Sequence, residues 1–237
     1  MNRFDTNAFG MRSTELPAAK TAKEFRVLAL GDSVLNGGNL ADQDDLATSL
    51  LTTGERRVLN ASAGSWGPPN ELNYVREFGW FDADATIIVL SSHDAQDVPT
   101  FAPLNPLTHP TKNPRTAIFA FAARYGPKFP NLGEIPPAPP GKTAYHPVSA
   151  LPDLEELLKL ASHRGPVCAI LDTTQHELQS QQKDPGYQAI ATVARETAAT
   201  VVELSNFLDK ASSYRDDIHL SKEGQRQLAS AMLSCIK

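Results

Sequence analysis

Short hydrophobic runs alternate with amphipathic stretches along most of the chain. Three runs rich in Val, Ile and Leu have the length of buried strands, and two weaker runs share their character. The strong runs are residues 25–30, 86–90 and 167–171, and the weak ones are residues 57–61 and 200–204. Each run ends near Gly, Asp, Ser or Asn, as strands of a parallel sheet often do.

Helical spacing of apolar residues fills the intervals between these runs. Residues 151–163 carry leucines three and four positions apart and are closed by Gly165. Residues 187–199 and 223–236 show similar spacing, and residues 70–78 form a shorter candidate. Strands that alternate with helices predict a three-layer α/β/α domain with a mostly parallel sheet of about five strands.

Residues 99–152 interrupt this alternation, because they hold 13 of the 18 prolines. Proline lacks a backbone N–H and restricts φ, so most of this segment is expected to be neither helix nor central strand. An apolar helix is predicted inside it at residues 116–125. We interpret the segment as an insertion into a single domain of residues 1–237, either packed on the surface or serving as a lid or substrate wall.

Composition and charge narrow the classes of protein that fit. The chain has 237 residues, of which 41% are hydrophobic and 21% charged, with a formal net charge of −5. No basic stripe is present, so we expect no nucleic-acid partner. No run approaches the roughly 18 to 20 apolar residues of a membrane span, and residues 1–24 lack the apolar core of a signal peptide. The chain is expected to be cytoplasmic or the soluble part of a longer exported protein.

The two cysteines, Cys168 and Cys235, are too few for a disulfide scaffold and lack the spacing of a zinc site. Cys168 lies in an apolar run, and a buried thiol is the simplest interpretation. A bridge between the two cysteines is the alternative.

Two short segments carry the residue types of a serine hydrolase. Residues 25–33 form a strand that leads directly into Gly31-Asp32-Ser33, and ligands of parallel sheets bind at the carboxyl ends of strands. Near the C-terminus, His219 follows Asp216 and Asp217 on a predicted loop. A histidine oriented by an aspartate can take a proton from a serine.

These segments belong to four ordered blocks in which the chain resembles the SGNH, or GDSL, hydrolases, a family of serine esterases with a flavodoxin-like α/β/α fold. The resemblance implies that Ser33 is the nucleophile and contributes its N–H to the oxyanion hole, that His219 is the base and that Asp216, not Asp217, orients it. In the second block, residues 58–67, it implies a backbone oxyanion donor at Gly64 or Ser65, with Gly64 slightly favoured. Ser65 as the nucleophile is a minor alternative.

The third block departs from the family pattern. The family has Gly-x-Asn-Asp after the third strand, whereas this chain has Ser91-Ser92-His93-Asp94. An imidazole N–H can replace the asparagine amide as an oxyanion donor, so we predict that role for His93. The alternatives are a retuned or lost site, or a metal bound by His93, Asp94 and Asp97, for which the sequence nominates no fourth ligand.

The resemblance therefore implies an ester hydrolase that needs no metal and no organic cofactor. A weaker likeness of residues 7–12 to the lead-in segment of some bacterial SGNH proteins linked to cell-surface glycans favours a carbohydrate O-acetyl ester as substrate. Two alternatives stay open: an acyltransferase to a glycan hydroxyl with the same triad, and a non-catalytic glycan-binding protein on the same scaffold.

Overall fold

Five parallel strands form the central sheet of the protein. They are β1 (Phe25–Gly31), β2 (Arg56–Ser62), β3 (Ala85–Leu90), β4 (Val167–Leu171) and β5 (Thr200–Glu203). The strand order is β2-β1-β3-β4-β5, and every neighbouring pair is parallel. This is the flavodoxin-like order, in which the site is expected where β1 and β3 diverge. All five predicted strands are confirmed.

The structure is a computed structural model. It describes residues 2–16, 19–99, 116–118, 121, 149–197, 199–209 and 212–236. Backbone contacts divide it into two compact units, Met1–Pro99 with Pro147–Lys237, and Thr100–His146. The predicted insertion (99–152) and its helix (116–125) lie largely outside the described residues. In the second unit only residues 116–118 and 121 are described.

Seven helices are found among the described residues of the first unit. They are α1 (Ser33–Asn36), α2 (Ala47–Leu51), α3 (Pro68–Phe78), α4 (Leu151–Ser162), α5 (Gln175–Ser180), α6 (Pro185–Glu196) and α7 (Lys222–Cys235). Helices α3 and α6 begin two residues before their predicted starts, because proline fits the first helical turn. Within the described part of the chain, no helix is both long and apolar enough to cross a bilayer.

Side chains alternate along the strands and build two separate cores. Leu28 and Leu30 of β1 pack with buried residues of α3, α4 and α6 on one face of the sheet. Val27 and Ala29 pack with buried residues of α1, α2 and α7 on the other. Successive strand side chains point to opposite faces, so both faces of the sheet are covered. The predicted three-layer α/β/α architecture is confirmed.

Cys168 and Cys235 are joined by a disulfide, with their Cα atoms 5.7 Å apart. The preferred prediction of a buried free thiol at Cys168 is therefore wrong, and the alternative is confirmed. Cys168 lies in β4 on the face that α7 covers, and Cys235 ends α7. Packing of that helix on the sheet, which residue spacing does not reveal, brings the two sulfur atoms together.

Candidate active site

Ser33 lies where β1 turns abruptly into α1. Asp32 caps this helix, because its Oδ1 accepts a hydrogen bond of 2.8 Å from the Val34 N–H. Gly31 makes the turn feasible, since a Cβ at this position would lie 3.1 Å from Leu35 and 3.2 Å from the Val89 carbonyl. The local sequence thus holds Ser33 at the carboxyl edge of the sheet, at the first position of a helix.

His219 reaches Ser33 from the loop before α7. Its Nε2 lies 3.1 Å from Ser33 Oγ, and its Nδ1 lies 3.0 and 2.9 Å from the two carboxylate oxygens of Asp216. An aspartate that accepts the Nδ1 proton leaves Nε2 free to accept the hydroxyl proton of the serine. The structure thus brings together the three residues that the sequence nominated, as a continuous chain of contacts.

Asp216 is further engaged by the backbone of its own loop. Its Oδ1 accepts hydrogen bonds from the N–H groups of Ile218 at 3.0 Å and His219 at 2.7 Å. Partial burial raises the pKa of Asp216, but these bonds together with the imidazole of His219 outweigh it, so the pKa lies below the usual value. Asp216 is therefore ionised near neutral pH, as an orienting carboxylate must be.

Asp217 occupies a different place from its neighbour. Its Oδ1 accepts a hydrogen bond of 3.1 Å from the His176 N–H, and its carbonyl accepts one of 2.7 Å from the Gln175 N–H. Both donors belong to the first turn of α5. Asp217 thus ties the loop to that helix, while Asp216 contacts His219.

His93 lies in a 3₁₀ turn (Ser92–Ala95) that follows β3, the strand beside β1. Its Nε2 is 3.3 Å from Asp32 Oδ2 and 3.9 Å from Asp97 Oδ2, and Ser91 Oγ lies 3.0 Å from Nε2 and 3.2 Å from Nδ1. The hydrogen bond to Asp32 is the main reason that the pKa of His93 rises to about 9, against the opposing effect of burial. His93 is therefore an imidazolium at neutral pH. The sequence did not indicate that its partner is Asp32, the neighbour of Ser33.

Three buried carboxyl groups surround this ion pair. Burial is the largest cause of a raised pKa in each: the pKa of Asp94 rises to about 8, and those of Glu71 and Asp172 lie well above their usual values. The charge of Asp32 adds to all three shifts. Protonation of such groups avoids the large cost of burying unpaired charge. The negative charge near His93 is therefore much smaller than the number of acids suggests.

Asp32, His93 and Asp94 also form the one described group that could share a metal ion, with ligand atoms within 4.8 Å of one another. It contains Asp32 instead of the Asp97 considered from sequence. Each member is already engaged: Asp32 caps α1 and pairs with His93, and Asp94 Oδ2 accepts a 2.7 Å hydrogen bond from the Ser91 N–H. These contacts explain why Asp32, His93 and Asp94 lie close together: they form a network of hydrogen bonds and an ion pair.

Gly64 and Ser65 lie in the turn between β2 and α3. The strand β2 pairs with β1, and Ser62 is the register partner of Gly31, so this turn leaves the sheet beside Ser33. Ser65 has a φ of 60°, in the left-handed region that glycine adopts most readily. Gly64 is exposed, with open space around its Cβ position. Ser65 thus carries the left-handed backbone of the turn, and the choice between Gly64 and Ser65 as oxyanion donor stays a prediction.

No protein-family model and no curated protein matches this chain. Solved structures resemble it at low identity, among them a member of the lipolytic protein G-D-S-L family from Veillonella parvula (12% identity, TM-score 0.53, covering 89% of this chain and 97% of that one). Another is a two-domain esterase active on acetylated mannans (12% identity, TM-score 0.53, covering 91% of this chain and 50% of that one). A third is an aryl esterase of M. smegmatis (12% identity, TM-score 0.50, covering 90% of this chain and 98% of that one). The chain therefore has the α/β fold of these lipolytic and esterase structures.

Proposed function

We propose that the protein is a serine ester hydrolase of the SGNH type. The observation that carries the proposal is the chain of contacts from Ser33 Oγ through His219 to Asp216, formed at the carboxyl edge of the sheet. A nucleophile, a base and an orienting carboxylate in contact are the elements that acyl transfer requires. Ser33 and His219 are 186 positions apart, so their contact arises from the fold and not from neighbouring sequence.

The reaction proceeds through an acyl-enzyme. Ser33 Oγ attacks the ester carbonyl while its proton moves to His219 Nε2, and the negative charge of Asp216 stabilises the resulting imidazolium. His219 then donates this proton to the leaving alcohol, and the ester C–O bond breaks. A water molecule, deprotonated by the same histidine, then attacks the acyl carbon of the acyl-enzyme. The bond between this carbon and Ser33 Oγ breaks, His219 returns the proton to Ser33 Oγ, and the acid leaves.

The tetrahedral oxyanion needs hydrogen-bond donors beside Ser33. The backbone N–H of Ser33 at the start of α1 and an N–H of the turn at Gly64 or Ser65 supply two of them in the proposal. His93 is the third contributor, in the place of the family asparagine. Its contact with Asp32 holds the ring beside the residue that precedes Ser33. Because that contact occupies Nε2, the oxyanion donor in the proposal is the Nδ1–H.

An acetyl ester of a carbohydrate is the substrate that we favour. The two-domain esterase with the same fold is described as active on acetylated mannans. The proposed chemistry at Ser33 and His219 uses no metal and no organic cofactor.

An extracytoplasmic setting is also proposed. The bond between Cys168 and Cys235 supports it, because disulfides persist in oxidising compartments and are rare in the cytosol.

The experiment combines turnover with identification of the acylated residue. Wild type, Ser33→Ala and the matched control Ser230→Ala, an exposed serine on α7, are assayed with p-nitrophenyl acetate and with acetylated mannan. We expect hydrolysis by the wild type and the control and none by Ser33→Ala. When the wild-type reaction is quenched, we expect an acetyl group on the peptide that contains Ser33. Full activity in folded Ser33→Ala, or an acetyl group on Ser65, would refute the proposal. Faster turnover on adding a sugar acceptor would reassign the protein as an acyltransferase.

A further inference from the structure

The turn that follows the helix of Ser33 is held by two arginine side chains. Arg12, which is 1% exposed, donates to the carbonyls of Asn36, Gly38 and Ala41, the latter two at 2.7 Å. Arg215 Nη1 donates to the intervening carbonyl of Gly37 at 3.0 Å. We name residues 36–41 the helix-exit turn. Its carbonyls are bound by guanidinium groups from both ends of the chain.

The helix-exit turn needs this support because α1 is a single turn. Only two main-chain hydrogen bonds close it, from Asn36 N–H to the Asp32 carbonyl (3.0 Å) and from Gly37 N–H to the Ser33 carbonyl (2.9 Å). Helices this short are not stable by themselves. The chain then leaves α1 through two left-handed residues, Gly37 (φ 74°) and Gly38 (φ 56°). The position of Ser33 therefore depends on what holds the residues after it.

Arg215 also belongs to the loop that carries the base. Its N–H donates to the His219 carbonyl at 3.0 Å, within a narrow loop closed by the antiparallel bridge between Tyr214 and Leu220. Its Nε lies 3.7 Å from Asp216 Oδ2. One residue thus contacts the end of the nucleophile's helix through its side chain and the base through its backbone.

We propose that Arg215 is a positioning residue that sets the distance between Ser33 Oγ and His219 Nε2. The expected effect on kcat rests on the proposed function, whereas the expected effect on the distance between Ser33 and His219 does not. The bond from Arg215 to Gly37 joins residues 178 positions apart, and it is the described side-chain bond that links the loop of His219 to the helix-exit turn. Without it, Asp216 and His219 still pair with each other, but the pair is less firmly aligned on Ser33.

The variants are Arg215→Ala and Arg215→Lys, with Arg226→Ala as the matched control. Arg226 lies on α7, is about half exposed and pairs with Glu223 at 3.0 Å. Misplacing a catalytic group by about 1 Å can cost 10²-fold in rate, so we expect kcat for p-nitrophenyl acetate to fall about 10- to 100-fold in Arg215→Ala, with KM little changed. Arg215→Lys should lose less, because an ammonium still donates to one carbonyl.

Chemical rescue and crystallography separate positioning from general stabilisation. Guanidinium ion at non-denaturing concentration should raise kcat of Arg215→Ala and leave Arg226→Ala unchanged. The crystal structure of Arg215→Ala should show a longer distance between Ser33 Oγ and His219 Nε2 than that of the wild type. A wild-type kcat in Arg215→Ala, or a fall that guanidinium does not restore, would overturn the inference. If the wild type hydrolyses no ester, the proposed function fails, but the two crystal structures still test the role of Arg215. An unchanged distance between Ser33 Oγ and His219 Nε2 would overturn that role.

Discussion

The disulfide should contribute a large part of the stability of the fold. Cys168 and Cys235 are 67 positions apart, and the segment between them contains β5, α6 and the loop of Asp216 and His219. In the chain-entropy model, closing a loop of this length removes about 15 cal/mol/K from the unfolded ensemble, which is about 4 kcal/mol at 25 °C. Domains are typically stable by only about 5 to 15 kcal/mol, so this single bond matters greatly.

Reduction of the wild type is the cleanest perturbation, because it breaks the bond without changing a packed side chain. The chain has two cysteines in all, so a reductant acts at this one place. Urea unfolding followed by circular dichroism, with and without phosphine reductant, gives the free energy of unfolding in each state. With slopes of about 1 to 3 kcal/mol/M, the midpoint should fall by roughly 1 to 4 M.

The double variant Cys168→Ala/Cys235→Ala is the control, and its midpoint should not respond to reductant. A thiol titration of the unreduced, unfolded wild type should find no free thiol. An unchanged midpoint on reduction would refute the loop-entropy reasoning, and two free thiols per chain would refute the bond itself.

The remaining predictions concern His93 and the buried Glu71. The proposed role of His93 as an oxyanion donor predicts that His93→Ala lowers kcat by about 10²- to 10³-fold with a much smaller change in KM, in steady-state assays with the exposed His163→Ala as control. An unchanged kcat would remove His93 from the proposed mechanism. Burial raises the pKa of Glu71 in the folded protein. The free energy of unfolding of the wild type should therefore fall as the pH rises above about 4.5, the pKa of glutamate in the unfolded chain. The fall should be up to about 1.4 kcal/mol per pH unit until the pH passes the pKa of the folded state. Glu71→Gln cannot ionise, so urea unfolding at pH 5 and pH 8 should show a smaller loss for it; parallel losses in both proteins would contradict the assignment.

Local patterns in the sequence were enough for most of the elements and for two residues of the candidate triad. The apolar runs predicted all five strands. Continuous hydrophobic residues suit β3 and β4, which are buried on both faces, whereas β5 is only partly buried and its run was correspondingly weaker. Ser33 and His219 could be nominated since one follows a strand end and the other precedes a helix, whereas the choice of Asp216 over Asp217 was implied by the resemblance to the SGNH hydrolases. The short helices α1, α2 and α5 were missed, because four to six residues contain too few turns for a period to be seen.

The tertiary structure alone decided which of these residues meet. The strand order β2-β1-β3-β4-β5 places β3 beside β1, so His93 pairs with Asp32, 61 positions away. Packing of α7 on the sheet joins Cys168 to Cys235, and the loop before α7 brings Arg215 to Gly37. The spacing of hydrophobic residues in a strand or helix indicates which face is buried. It does not indicate which other segment of the chain that face packs against. Contacts between distant segments, and the pKa values that burial and those contacts produce, therefore arise only when the whole sheet is assembled.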